Sequence, residues 1–360
     1  MKVLHVSPTW FGDGSVVGGA ERYTLELARA CARLTPTTLV SFAPRGSRRR
    51  DGDLDVRLLR NLPGRPSRLT GNPLHPALYA AVARADVVHC HQPDTLASNA
   101  AMLAAASLRR PVFISDLGGG HIHAPSLRFP VLPRATGLLL LSQYSRTIWQ
   151  DAPAWRRPAR MEVIYGGVDT ERFKPGPAVV PGQVLFAGRL MRHKGIEHAL
   201  AGIDPDMRMV VAGRPYDEPY LQMLRRVAPA NVTFRHDVGD DELIGLFGSS
   251  VATVVPSVYR LWGGGETRIP ELLGLVALES MACGTPVIVS DVASLPELVE
   301  DGVTGFVVPP NDPGAIRAAL RMLIDDPARR DAMGRAARLS VERRFTWEAV
   351  ARRCLEAYGA

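Results

Sequence analysis

The chain has few cysteines and no long apolar runs. Its four cysteines, Cys31, Cys90, Cys283 and Cys354, form no C-x-x-C pair. That spacing argues against a zinc site or redox motif and assigns each thiol to core filling. No window approaches the roughly 20 apolar residues needed to cross a bilayer; Gly137 to Leu141 is only strand-sized. The start, Met1 to Trp10, alternates like a strand and lacks the apolar stretch and cleavage site of a secretory signal. A cytoplasmic location is expected. No G-x-G-x-x-G follows the first strand pattern, which disfavours a dinucleotide-dependent dehydrogenase. Solenoid repeats and low-complexity tracts are absent. So is any nucleic-acid motif: the run Ser47 to Arg50, read as a loop between Gly46 and Gly52, has no interleaved aromatics.

What is present is a globular composition over 360 residues, with 46% hydrophobic and 22% charged residues, enough for two domains. Charge is uneven. Residues 1 to 165 carry 21 Lys/Arg against 11 Asp/Glu, a formal +10, whereas residues 166 to 360 carry 22 against 25, a formal −3. The excess includes Arg45, Arg48, Arg49, Arg50, Arg57, Arg60, Arg65 and Arg68. Such a field suits a phosphorylated acceptor, an anionic membrane surface or nucleic acid; ordinary solubility explains it equally well.

Short apolar runs alternate with helical patterns. "KVLHVSP" reads as a strand, and Ala20, Tyr23, Leu27, Ala30, Cys31 and Leu34 recur at helical spacing after it. "TTLVSF", "DVVHCH", "PVFISD" and "GLLLLS" are further strand candidates. The alternation restarts near residue 180 with "QVLFAGRL", "RMVVAGRP", "VTFRH", "VATVVPS", "TPVIVSD" and "GFVVPP". Strands apolar on both faces that alternate with helices predict parallel sheets covered on both sides. The expected architecture is α/β, with two doubly wound Rossmann-like domains. Domain boundaries fall at 1–170 and 171–345, and a C-terminal helix at 346–360 is expected to pack back on the N-terminal domain.

The chemistry concentrates in the second half. Gly188 and Arg189 end a strand, and Lys194 and Gly195 open a helix: two cations at one strand-to-helix turn suit a diphosphate. In "PELLGLVALESMACGTP", Pro270 to Gly274 reads as a loop and a helix starts near Leu275. The free N–H groups of Leu275 and Val276 would point at an anion, and Gly274 would let it approach the backbone. Glu271 lies outside that N-terminus and Glu279 on the helix, roughly 12 Å apart at helical rise. Two carboxylates, each accepting hydroxyl hydrogen bonds, suit the two ends of a nucleotide sugar.

Taken together, "GGAE" (Gly18 to Glu21), "VIYGGVD" (Val163 to Asp169), "GRL" with "KG", "ELLGLVALESMACGTPVIVSD" (Glu271 to Asp291) and "ELVEDGVTGFVVPPND" (Glu297 to Asp312) resemble the family 4 glycosyltransferases. The elements come in the family's order and span nearly the whole chain. The resemblance implies the GT-B fold, with a cleft between two Rossmann-like domains, and retaining transfer of a hexose-like sugar. The donor would be a nucleoside-diphosphate sugar, UDP- or GDP-linked, held mainly by the C-terminal domain. The acceptor would sit on the N-terminal domain as an anionic lipid or glycan, or a small natural product. No metal, no other cofactor and no nucleic acid are expected; the Asp-x-Asp matches at Asp53 and Asp204 read as solvated turns. Carried over, Arg189 and Lys194 hold the diphosphate, Glu271 the donor sugar and Glu279 the ribose. Gly18 and Gly19 form a loop closing over the donor and acceptor, and Gly188 and Gly274 give the donor backbone room. His91, in "VVHCHQ", lines the cleft.

The pattern is broken twice. "VYRLWGGGETRIP" intervenes between Ser257 and Glu271, a lid or acceptor-contacting insertion that brings Trp262 and Glu266. Where the family commonly has a histidine after "PVFIS", Asp116 and Leu117 stand instead, so Asp116 or His121 is expected to substitute. A nucleotide-sugar 2-epimerase of the same fold and a non-catalytic sugar- or nucleic-acid-binding protein are the rival readings.

Overall fold

A computed structural model describes residues 1–9, 18–60, 73–118, 130–176, 178–268 and 270–359. The chain forms two compact units. One comprises Met1–Gly167 with Trp347–Ala360, the other Val168–Thr346.

The first unit is built on β1 (Val3–Val6), β2 (Thr37–Ala43), β3 (Ser47–Asp51), β4 (Leu54–Arg60), β5 (Val87–His91), β6 (Val112–Ser115), β7 (Gly137–Leu140) and β8 (Met161–Val163). They lie in the order β3-β4-β2-β1-β5-β6-β7-β8. Every pairing is parallel except β3 on β4. Helices α1 (Gly19–Leu34), α2 (Ala77–Ala83), α3 (Leu96–Ser107) and α4 (Gln143–Asp151) connect them. The two faces of the sheet differ. Leu4, Val6, Val88, Cys90, Val112 and Ile114 pack with α2 and α3 in an apolar core. The alternate residues of β1 and β5 include three histidines, covered by α1 and by the C-terminal helix Trp347–Tyr358.

The arginine run read as a loop is strand β3. It pairs antiparallel with β4 through Arg48↔Arg57 and Arg50↔Asp55. Charged residues on an outer strand blunt an edge that would otherwise template aggregation, so the composition that looks like a loop is that of a protected edge.

The second unit holds β9 (Gln183–Ala187), β10 (Arg208–Ala212), β11 (Val232–Arg235), β12 (Ala252–Val255), β13 (Val287–Ser290) and β14 (Gly305–Val308), all parallel, in the order β11-β10-β9-β12-β13-β14. The helices are α5 (Ile196–Ala201), α6 (Glu218–Val227), α7 (Asp240–Ser249), α8 (Leu275–Ala282), α9 (Pro313–Ile324) and α10 (Pro327–Arg344). Chain order reverses between β9 and β12, and in doubly wound sheets ligands gather beyond the carboxyl ends of strands at that point. In the first unit the reversal falls between β1 and β5.

Beyond the carboxyl ends of β9 and β10 the backbones touch. The Gly188 N–H donates to the Ala212 carbonyl at 2.9 Å, and Gly213 N–H to Arg235 at 2.8 Å. Gly213 has φ +154°, and a Cβ there would stand 1.7 Å from the Gly188 carbonyl oxygen. Gly213→Ala is therefore expected to lower the unfolding free energy by about 2–3 kcal/mol, through overpacking and backbone strain. Urea unfolding would show it; an unchanged midpoint would mean that the two turns separate readily.

Candidate active site

In the second unit, Gly188 lets the chain leave β9 at φ +142° and turn Arg189 out to solvent, its guanidinium carbon 5.8 Å from the Tyr216 ring centre. The following turn, Arg192–Lys194, is pressed against the end of β12. The Val258 N–H donates to the His193 carbonyl at 2.9 Å, and a Cβ on Gly195 (φ +60°) would meet the Pro256 carbonyl oxygen at 2.2 Å. That approach fixes Lys194, whose ammonium forms a short ion pair with Glu271. Each of the two side chains is 16% exposed. Sequence reasoning assigns them to different parts of a donor; in the structure they hold each other. His193 sits beside them with its pKa lowered to about 4, by burial and then by the Lys194 charge. It was not singled out from the sequence because a histidine between two cations reads as surface.

Helix α8 starts at Leu275, as the loop reading of Pro270 to Gly274 requires. Gly274 caps it in the left-handed region (φ +84°), and a Cβ there would lie 2.8 Å from Leu295. The Leu275 and Val276 N–H groups have no hydrogen-bond acceptor among the described residues. Glu279 is buried on the helix at 7% exposure.

The insertion is an ordered hairpin over the described residues. Arg260 bridges Glu266 antiparallel, and Thr267 N–H donates to Tyr259 at 2.8 Å. Gly263, Gly264 and Gly265 all have positive φ, from +80° to +100°. Arg192 anchors the tip: its guanidinium donates to the Trp262 carbonyl at 3.3 Å, lies 5.4 Å from the Trp262 ring centre, and is itself held by Asp217 at 2.6 Å. Glu266 stays exposed, 3.9 Å from Arg260.

In the first unit, His91 ends β5 and Asp116 follows β6. Asp116 accepts from Trp149 Nε1 at 2.9 Å and from the Gly118 N–H at 3.0 Å, and burial raises its pKa. Asp94, missed in the sequence, is buried nearby with φ +55° and is bound by Arg156 at 3.2 Å. Its pKa is also raised, by burial and by the Asp116 charge, with Arg156 opposing. A left-handed aspartate in the turn after a strand shows no signal in composition. Gly18 and Gly19 open α1; a Cβ on Gly18 would meet the Glu21 carboxylate at 2.5 Å. His121 lies outside the described residues.

His91 belongs to a buried triad. Parallel register sets His5 beside His89, and the two-residue strand period puts His89 and His91 on one face. All three have no solvent exposure. His5 Nδ1 lies 2.9 Å from His91 Nε2; His89 Nδ1 meets the Tyr358 hydroxyl at 2.7 Å and its Nε2 the Ser115 hydroxyl at 2.8 Å. One nitrogen from each ring lies within 4.8 Å of the others, close enough for a metal. Coordination there would replace the His5–His91 hydrogen bond; the outward nitrogens, His5 Nε2 and His91 Nδ1, have no partner among the described residues. Burial keeps the three imidazoles neutral. Burial lowers the pKa of His5 to about 3, and burial with mutual repulsion puts His89 and His91 well below the ordinary value.

The sheets and the site together define a two-domain Rossmann-like protein of the GT-B class. A model of "Glycosyltransferase Family 4" matches residues 17–172, and one of "Glycosyl transferases group 1" matches residues 168–340. The chain is 30% identical over 320 residues to alpha-maltose-1-phosphate synthase of Mycobacterium tuberculosis, covering 77% of this chain and 80% of that protein. It is 31% identical over 211 residues to glycogen synthase of the same organism, covering 56% of this chain but only 48%, about half, of that protein's length. In structure it is similar to HepE of Anabaena in complex with UDP-glucose, with a TM-score of 0.75, 21% identity, and coverage of 100% and 99%. The chain belongs to glycosyltransferase family 4. Among the described residues, no helix is long and apolar enough to cross a membrane.

The triad makes stability pH-dependent. The folded rings stay neutral below pH 6.5 while the unfolded rings bind protons, so stability falls as pH drops from about 6.5 towards about 3. His5→Asn should flatten that slope by as much as about 1.4 kcal/mol per pH unit. Denaturant titrations at pH 7, 6 and 5 test this; parallel pH profiles for both proteins would rule it out.

Proposed function

We propose that this chain is a retaining glycosyltransferase that moves a hexose-like group from a nucleoside-diphosphate donor to an acceptor hydroxyl. The observation that carries the reading is the ion pair of Lys194 with Glu271, three residues before the Gly274-capped start of α8, with the Arg189 charge acting on the neighbouring His193. This is a polar, anion-attracting site at the position where doubly wound sheets bind ligands. The UDP-glucose in the HepE complex supports a UDP-sugar as the first donor to test.

In this mechanism the α8 N–H groups and Lys194 meet the diphosphate, Glu279 takes the ribose hydroxyls and Glu271 the sugar hydroxyls. Lys194 and Glu271 must then exchange each other for donor groups. As the bond to the diphosphate breaks, negative charge grows on its oxygens. Arg189 and Lys194 stabilise that charge more in the transition state than in the ground state. The departing phosphate takes the acceptor's proton on the same face, so the reaction needs no bound metal. Asp116, with Asp94 beside it, stands at the carboxyl edge of the first unit, where an acceptor hydroxyl would be oriented.

Two measurements bear on the assignment. Glu279→Gln keeps the side chain's shape and removes its charge, so calorimetry should find UDP-sugar binding weaker by about 1.5–3 kcal/mol; unchanged affinity in a folded variant would refute the ribose role. Lys194→Met should cut kcat by roughly a hundredfold with a smaller change in KM. If kcat survives, Lys194 does not meet the leaving group. Screening nucleotide sugars by thermal shift identifies the donor, since a ligand that binds only the folded state raises Tm.

A further inference from the structure

We propose that the amino-terminal edge of the first sheet carries a second binding site, for a phosphate-bearing anion. The proposal does not depend on the glycosyltransferase reading. Strands β1, β2 and β4 begin at this edge, opposite the carboxyl ends that hold His91 and Asp116. Antiparallel β3 runs the other way and returns Arg50 to it. Lys2, Arg50, Arg57 and Arg84, remote in sequence, therefore line one cavity of about 320 Å³. That is the size of a small-ligand pocket.

The charges in this cavity are unevenly committed. Asp55 accepts from Arg57 at 2.6 Å and from Arg48 at 3.0 Å, so its carboxylate is satisfied. Among the described residues, the Arg50 guanidinium donates only to the Asp53 backbone carbonyl, at 3.3 Å. Neither the Lys2 ammonium nor the Arg84 guanidinium forms a hydrogen bond or ion pair with any described residue. Asp53 is the one remaining carboxylate of the lining, and it is exposed. Three uncommitted cations around one concavity raise its positive potential, and phosphate oxygens match the arginine fork and the lysine ammonium. Part of the basic excess of residues 1 to 165 thus has an address away from the reaction edge. A soluble phosphorylated metabolite and the headgroup of an anionic lipid present the same chemistry.

The test uses the full chain, Arg50→Gln/Arg84→Gln, and Arg189→Gln/Lys194→Gln as a control at the reaction edge. Inorganic pyrophosphate is titrated calorimetrically at low and physiological salt, and flotation with phosphatidylglycerol vesicles is run in parallel. The parent should show pyrophosphate binding that survives in the control pair and weakens roughly tenfold or more in the Arg50/Arg84 pair. Vesicle binding lost in the Arg50/Arg84 pair without a change in pyrophosphate affinity would also support the site and identify a lipid source. If that pair, with an unaltered Tm, matches the parent in both assays, the proposal is overturned. Failure of the donor assignment would instead appear in the Lys194 variant alone.

Discussion

Backbone touching backbone is the constraint on which the second unit's site depends. At the ends of β9, β10 and β12 there is no room for a side chain between Gly188 and Gly213 or between Gly195 and the Pro256 carbonyl. Close packing forbids intermediate arrangements, so the turns after these strands have one relative placement. Arg189 and Lys194 inherit their positions from it. Gly274 plays the same part at the start of α8, where Leu295 and Leu298 press against it. The charged side chains of the candidate site take their alignment from glycines, which have no side chain at all.

Glu271 and Lys194 show a second use of that alignment. A carboxylate and an ammonium, each largely removed from solvent, are expensive to leave alone. Their mutual pairing satisfies both. Under the proposed function, a donor that offers hydroxyls to one and phosphate oxygens to the other would exchange into the pair without stranding a charge, whereas a ligand that engages only one of them would leave its partner unpaired. The hairpin of the insertion is tied by Arg192 to the turn after β9.

Much of this was legible in the sequence because it is written locally. Apolar runs such as "QVLFA" and "VATVV" became buried strands, and the glycine before Leu275 marked the start of α8. What was not legible depends on partners far apart in the chain. "SRRRD" is a strand only because β4 is beside it. His5 says nothing alone; its meaning comes from the register that sets it against His89, 84 residues later. The same holds for the ion pair between Lys194 and Glu271 and for Asp94, which acquires a partner in Arg156 only once β5 and the chain beyond α4 are brought together.

The C-terminal helix has a consequence for how the chain is made. It belongs to the first unit although the whole second unit precedes it. Trp347 packs edge-on against Tyr23, and Tyr358 closes over His89. During synthesis the first sheet emerges long before the helix that covers its histidine face, and domains generally begin to fold as they emerge. The nascent first unit therefore waits, with part of that face uncovered, while the second unit is translated. It is completed only when Tyr358 has left the ribosome, so a chain that stops short of that residue lacks part of its amino-terminal domain, not of its carboxyl-terminal one.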